Sequence, residues 1–223
     1  MTNSHKMTNS YKKSEKRRKK EKLARREAIL RAARKVFFKK GFMEATMDEI
    51  ADRCGLAKGT LYLYYQSKEE IYLSLMIEGM KLIKKEMEKV GDLHLKSDEA
   101  LERLMNLYYD FYRQNKEYFR IIFLSSHPDF RVLVSDELLK SSIDIGKECL
   151  QIVAKVIERG MEDGFFRRVD SWAMANILWV MVNGIIMNYE EDPIYRDEIL
   201  RIDLDQLLKI SLQLILEGLK KRP

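Results

Sequence analysis

Between residues 57 and 65 the chain reads AKGTLYLYY, and the residue types it would expose suit contact with a nucleic acid. On a helix, Leu61 and Tyr65 lie four apart and form an inner face. Lys58, Gly59, Thr60, Tyr62, Leu63 and Tyr64 remain outside. A cation, a hydroxyl, a residue without a side chain and two phenols can meet phosphate oxygens and base edges. Nothing comparable points to catalysis: the chain has no HExxH, no phosphate-binding glycine loop, no nucleophile elbow and only 3 histidines. An enzyme is not expected, nor a cofactor. Cys54 and Cys149 are too few for a disulfide framework or a zinc site. His127, in the helix-breaking His127-Pro128-Asp129, has no second ligand at metal spacing.

A helix this short must be held by its neighbours. Upstream, Thr46 and Glu49 form a capping box that starts a helix with Ile50 and Ala51 inward. Gly55 ends it in a tight turn, and Leu56 pins that turn to the core. Ala51 is small enough for two helices to cross steeply, the geometry of a helix-turn-helix. Downstream, Ser67 with Glu70 starts the next helix. Lys68 in its first turn opposes the helix dipole, which suggests that it faces a phosphate. Before the motif, Ile29, Ala32, Ala33, Val36 and Phe37 mark the inner stripe of a first helix, closed by Lys39-Lys40-Gly41, with Phe42 packing back on it.

The set Gly41-Phe42, Ala45-Thr46, Ile50-Ala51, Gly55, Lys58-Gly59-Thr60-Leu61-Tyr62 and Ser67-Lys68 resembles the TetR family of bacterial transcriptional regulators, over roughly Leu23 to Ile83. The resemblance implies a homodimer of all-helical subunits and a small-molecule pocket in the C-terminal domain. It also implies release from operator DNA when ligand binds, hence a repressor. It places DNA contacts at Thr46, Lys58, Gly59, Thr60, Tyr62, Tyr64 and Lys68. Ala57 departs from the serine or threonine common at its position, and Tyr64 from a frequent histidine.

The rest of the chain fits an all-α reading, because only 3 Pro and 10 Gly punctuate the whole sequence and almost nothing alternates with a strand's period. Charge is uneven: residues 1–70 carry 19 Lys+Arg against 9 Asp+Glu, the remainder 22 against 26. The positive end is the one expected to meet a polyanion. Residues 1–22 read as a basic disordered arm, 23–83 as the helix-turn-helix domain and 84–223 as a ligand-binding and dimerisation domain. The arm begins with a repeat, MTNSHK then MTNSYK, to which no function attaches. Ten cations then crowd residues 12–26. With no apolar run after them this is not a signal peptide, and it could track phosphates or enter a minor groove.

From Ala100 to Leu124 aromatic residues cluster. Met105, Tyr108, Tyr109, Tyr112, Phe119 and Phe123, with Trp179, are expected to line a pocket for a small apolar or amphipathic effector with one polar or anionic end. Ser171 to Tyr189 is uncharged, but its flanks are acidic and asparagines interrupt it, so it is expected to be a buried helix and not a membrane span. The stripe Leu204, Leu208, Leu212, Ile215 and Leu219 marks a last helix, widened by Leu207, Ile210 and Leu214. Trp179, Ile186, Leu208, Leu212, Ile215 and Leu219 are expected at a dimer seam. The expected function is a cytoplasmic, ligand-responsive regulator that binds a palindromic double-stranded operator as a dimer. The alternative is a DNA-binding regulator without a ligand, or one switched by oxidation at Cys54 or Cys149.

Overall fold

The computed structural model describes residues 3–91, 94–116, 118–119, 133–191 and 194–221. Phe123 and His127 lie outside them. The described chain is all-α: α1 (Asn3–Glu44), α2 (Met47–Cys54), α3 (Lys58–Tyr62), α4 (Lys68–Gly91), α5 (Ser97–Gln114), α6 (Asp136–Glu162), α7 (Ser171–Glu191), a π-helical turn (Tyr195–Leu200) and α8 (Leu204–Leu219). No described helix is long and apolar enough to cross a membrane. The chain divides into two units. One comprises Met1–Glu78 with Glu117–Ser142, the other Gly79–Lys116 with Ile143–Pro223.

In the first unit the core is the inner stripe of α1, with Ile29, Ala33, Val36 and Phe37 buried, met by Ala45, Ile50, Ala51, Leu61, Tyr65, Ile71 and Tyr72. Gly41 interrupts α1 at φ 79°, a conformation that favours glycine. Phe42 then returns onto the helix, its ring centroid 5.9 Å from Phe37 and 4.6 Å from Tyr72. Upstream, the expectation of a disordered arm over residues 1–22 meets a different structure, since α1 begins at Asn3. The physical reason is local. Lys, Arg and Glu have good helix propensity, and Arg17–Glu21 and Lys19–Glu15 pair one turn apart.

Lys68 also departs from expectation. Its ammonium group donates to the carbonyls of Phe42 (3.1 Å), Met43 (3.2 Å) and Ala45 (3.3 Å) and sits 4.6 Å from the Phe42 ring centroid. Three protons meet three acceptors. The charge that opposes the dipole of α4 is therefore spent on the negative carbonyl end of α1, not aimed at a phosphate.

In the second unit, Ile83, Met87 and Val90 of α4 pack with Ala100, Leu101 and Leu104 of α5, Val153, Ala154 and Ile157 of α6, Ala175 and Leu178 of α7, and Leu219. Leu82 is half exposed, because the stripe Ile83, Met87, Val90 leaves it one ridge away. Ser97 and Asp98 lie inside α5, and Lys96 holds the cap position without a side-chain bond. α5 stops at Gln114, and Tyr118 and Phe119 belong to the first unit. Phe166 is buried where α6 ends and donates its N–H to the Gly160 carbonyl at 2.7 Å.

Two expected outcomes follow from these contacts. Lys68→Ala strips three carbonyls of their donor and should lower stability by about 1 to 3 kcal/mol, read as a fall in denaturation midpoint. A Cβ at Gly160 would lie 2.6 Å from Cε2 of Phe166 and 2.9 Å from Cβ of Ser97. Gly160→Ala should therefore destabilise by about 1 to 3 kcal/mol through overpacking, despite alanine's better helix propensity; a raised melting temperature would contradict this.

Candidate nucleic-acid interface and effector groove

Thr46 caps α2, its hydroxyl oxygen accepting from the Glu49 N–H at 3.2 Å while the Glu49 carboxylate accepts from the Thr46 N–H at 3.3 Å. Glu49 also pairs with Lys40 of α1, which holds its carboxyl below the usual range. Gly55 closes α2 at φ 66°, ψ 34°, and Leu56 donates back to the Ala51 carbonyl at 2.9 Å. Both halves of the expected turn are present.

α3 is only five residues long, and Ala57 at its N-cap makes no side-chain bond. Packing holds it: Leu61 is fully buried and Tyr65 nearly so, with the Arg26 guanidinium of α1 over the Tyr65 ring at 4.6 Å. Lys58, Gly59, Tyr62 and Leu63 are exposed, and Thr60 and Tyr64 half-buried. Lys58 bonds Asp48 of α2 at 2.9 Å, and that carboxylate raises its pKa. This pair joins the first turn of α2 to α3, so Thr46, Asp48 and Lys58 share one end of the motif. Of the seven expected DNA contacts, six can face outward. Lys68 is the exception.

The expected effector residues separate. A groove of about 520 Å³ runs between α5 and α8, with Met105, Val182, Leu208, Leu212 and Leu216 as its apolar wall. Tyr109 lines it and donates to Asp205, which with Asp98, Glu102 and Glu217 makes the rim acidic against Lys209 and Lys220. Tyr108 instead turns into the core and donates to Oδ1 of buried Asn183 at 3.0 Å, its pKa raised by burial. Tyr112 is buried and donates to Glu190, which also accepts from Lys116 at 2.7 Å. Trp179 is half exposed on α7, and Phe119 belongs to the other unit. Sequence reasoning missed the α8 side of the groove because Leu208 and Leu212 also read as a seam.

That seam needs correction. Ile186, Leu208, Leu212 and Leu219 are buried within the chain's own core, and Ile215 is half-buried. The outward apolar residues are Trp172, Ile177, Trp179, Val180 and Met187 on α7, and Ile210 and Leu214 on α8. On α7, expected to be buried on both sides, Asn176 and Asn188 turn their amides back to carbonyls four residues earlier, each at 2.7 to 2.8 Å.

Neither thiol is primed for oxidation. Cys54 donates to the Ile50 carbonyl at 3.0 Å, and burial pushes its pKa up; burial pushes Cys149 up to about 12.

Residues 29–75 match the model of the bacterial regulatory proteins of the tetR family. The transcriptional activator FasR of Mycolicibacterium smegmatis is 27% identical over 59% of this chain and 58% of its own length. The uncharacterised regulator YerO of Bacillus subtilis is 24% identical over 80% of this chain and 59% of its own length. The chain thus spans about three fifths of these two relatives. PfmR of Thermus thermophilus, a TetR family regulator, superposes with a TM-score of 0.66 over 86% of this chain and 99% of its own, at 25% identity. FadR of Bacillus subtilis, solved with stearoyl-CoA, shares the fold at a TM-score of 0.68 and 22% identity, over 86% and 98% of the two chains. The capped α2, the glycine turn and the short exposed α3 all lie within residues 29–75, the span that matches the tetR family of bacterial regulatory proteins.

Proposed function

We propose that this regulator binds a palindromic operator as a homodimer and is released by a small, mostly apolar effector. The observation that carries the reading is the five-residue α3, buried through Leu61 and bare on its other side, where Lys58, Gly59, Thr60 and Tyr62 can enter a major groove. Thr46 and Tyr64 flank that surface and serve as further contacts. Lys58 meets a phosphate only by leaving Asp48, an exchange that solvent exposure of the pair makes easy. Residues 23–83 act as the DNA-binding domain and 84–223 as the effector and dimerisation domain.

One such head offers too small a surface for high specificity, so two act together. The paired surface is the outward stripe Ile177, Val180, Gly184 and Met187 of α7 beside Leu207, Ile210 and Leu214 of α8, each at helical spacing. Two copies give a four-helix bundle with a two-fold axis, and the same axis makes the operator a palindrome.

The α5–α8 groove receives the effector. Its apolar wall suits a hydrocarbon body, but its four carboxylates against two lysines favour a cationic or hydrogen-donating end over an anionic one. A redox switch is the weaker reading, because both thiols are held protonated.

Tyr62→Ala should weaken operator binding by about 1 to 3 kcal/mol, and Lys58→Ala should lower the slope of log affinity against log salt by about 1, both with the fold intact. Fluorescence anisotropy across a salt series reads both, and two unchanged titrations would remove α3 from the interface. Ile210→Lys with Leu214→Glu should give a folded monomer in ultracentrifugation that keeps only weak, salt-sensitive DNA binding. Leu212→Glu, by contrast, should unfold the domain, since Leu212 is buried in its own chain.

A further inference from the structure

We propose that the N-terminal part of α1 is a second DNA-contact surface, a helix laid through Arg18, Lys22 and Arg25 against phosphates beside the sequence that α3 reads. The proposal rests on the DNA-binding reading and extends it to flanking DNA of any sequence.

Residues 18, 22, 25, 29, 32 and 36 are separated by alternating steps of four and three, so they run down one face of α1. In the lower half of this stripe Ile29, Ala32 and Val36 are buried against the head. In the upper half the same face carries Arg18, Lys22 and Arg25, all exposed. The cations therefore continue the side of α1 that the head covers, past the point where the head ends.

That point is beside the reading helix. Arg26 lies over Tyr65, three residues beyond α3, and the charge of Arg25 is felt by the Cys54 thiol at the end of α2. The stripe is also available. Arg17 and Lys19 are held by Glu21 and Glu15, whereas Arg18, Lys22 and Arg25 have no carboxylate partner among the described residues. Three cations over about 10 Å of helix match a run of phosphates that rise about 3.4 Å each along the duplex axis on one strand. A polyanion with regular charges adjoining the α3 surface is the occupant this arrangement fits.

The test compares two variants of the full chain with equal reduction of charge: Arg18→Gln/Lys22→Gln/Arg25→Gln on the stripe, and Lys16→Gln/Lys19→Gln/Lys20→Gln away from it. Glutamine keeps helix propensity, and circular dichroism checks that both variants stay folded. Each is titrated with a short duplex holding only the sequence the wild type selects from a randomised pool, and with a longer duplex that adds flanks. The stripe variant should bind the longer duplex about tenfold more weakly than wild type, with its salt slope shallower by about 0.9 for each phosphate no longer neutralised, and should bind the short duplex nearly as wild type does. The off-stripe variant should weaken by about twofold or less on both. Equal weakening in the two variants would reduce the arm to diffuse net charge and overturn the proposal, as would unchanged binding by the stripe variant. A wild type that binds no duplex even at low salt would overturn the DNA-binding reading itself, an outcome separate from either.

Discussion

Burial of Leu61 and Tyr65 is the constraint on which the reading head depends. A five-residue helix forms too few internal hydrogen bonds to repay its nucleation, so α3 exists only as long as its neighbours hold it. Ile50 and Ala51 supply the floor, Gly55 sets the turn, and Arg26 covers the Tyr65 ring. Because all of these are internal to the head, the outward residues of α3 carry none of its packing. The fold is stabilised from one side of a helix and read from the other.

The same economy holds at the start of α4. A lysine in the first turn of a helix is locally wrong, and here the error is corrected by tertiary structure, since the ammonium group of Lys68 gathers the carbonyls of Phe42, Met43 and Ala45 where α1 ends. The end of α1 and the lysine at the start of α4 form one device. Sequence could show each half as an anomaly, but not that each anomaly answers the other.

Local signals were the legible ones. The Thr46–Glu49 box, the left-handed glycines at 41 and 55 and the bounds of α8 could be read because each depends on residues within a turn or two. The all-α class followed from periodicity. What could not be read was which side of an apolar helix faces home. Leu208 and Leu212 differ from Ile210 and Leu214 by position around α8, not by type, and only the placement of α5 and α7 decides that the first pair is covered. The aromatic run failed for a similar reason. Tyr108 and Tyr109 are neighbours in sequence, yet one phenol is drawn inward by Asn183 and the other outward by Asp205.

The pair between Lys58 and Asp48 bears on how the head treats the wrong partner. A duplex that draws Lys58 onto a phosphate leaves the Asp48 carboxylate without its counter-ion, close to a backbone that repels it. Where the remaining contacts of α3 fit the bases, they outweigh that repulsion; where they do not, nothing offsets it and the lysine returns to its own carboxylate. On the proposed reading, an acidic residue in a basic head would act as a rejector, shortening the stay on unsuitable sites and leaving the head quicker to move along the duplex.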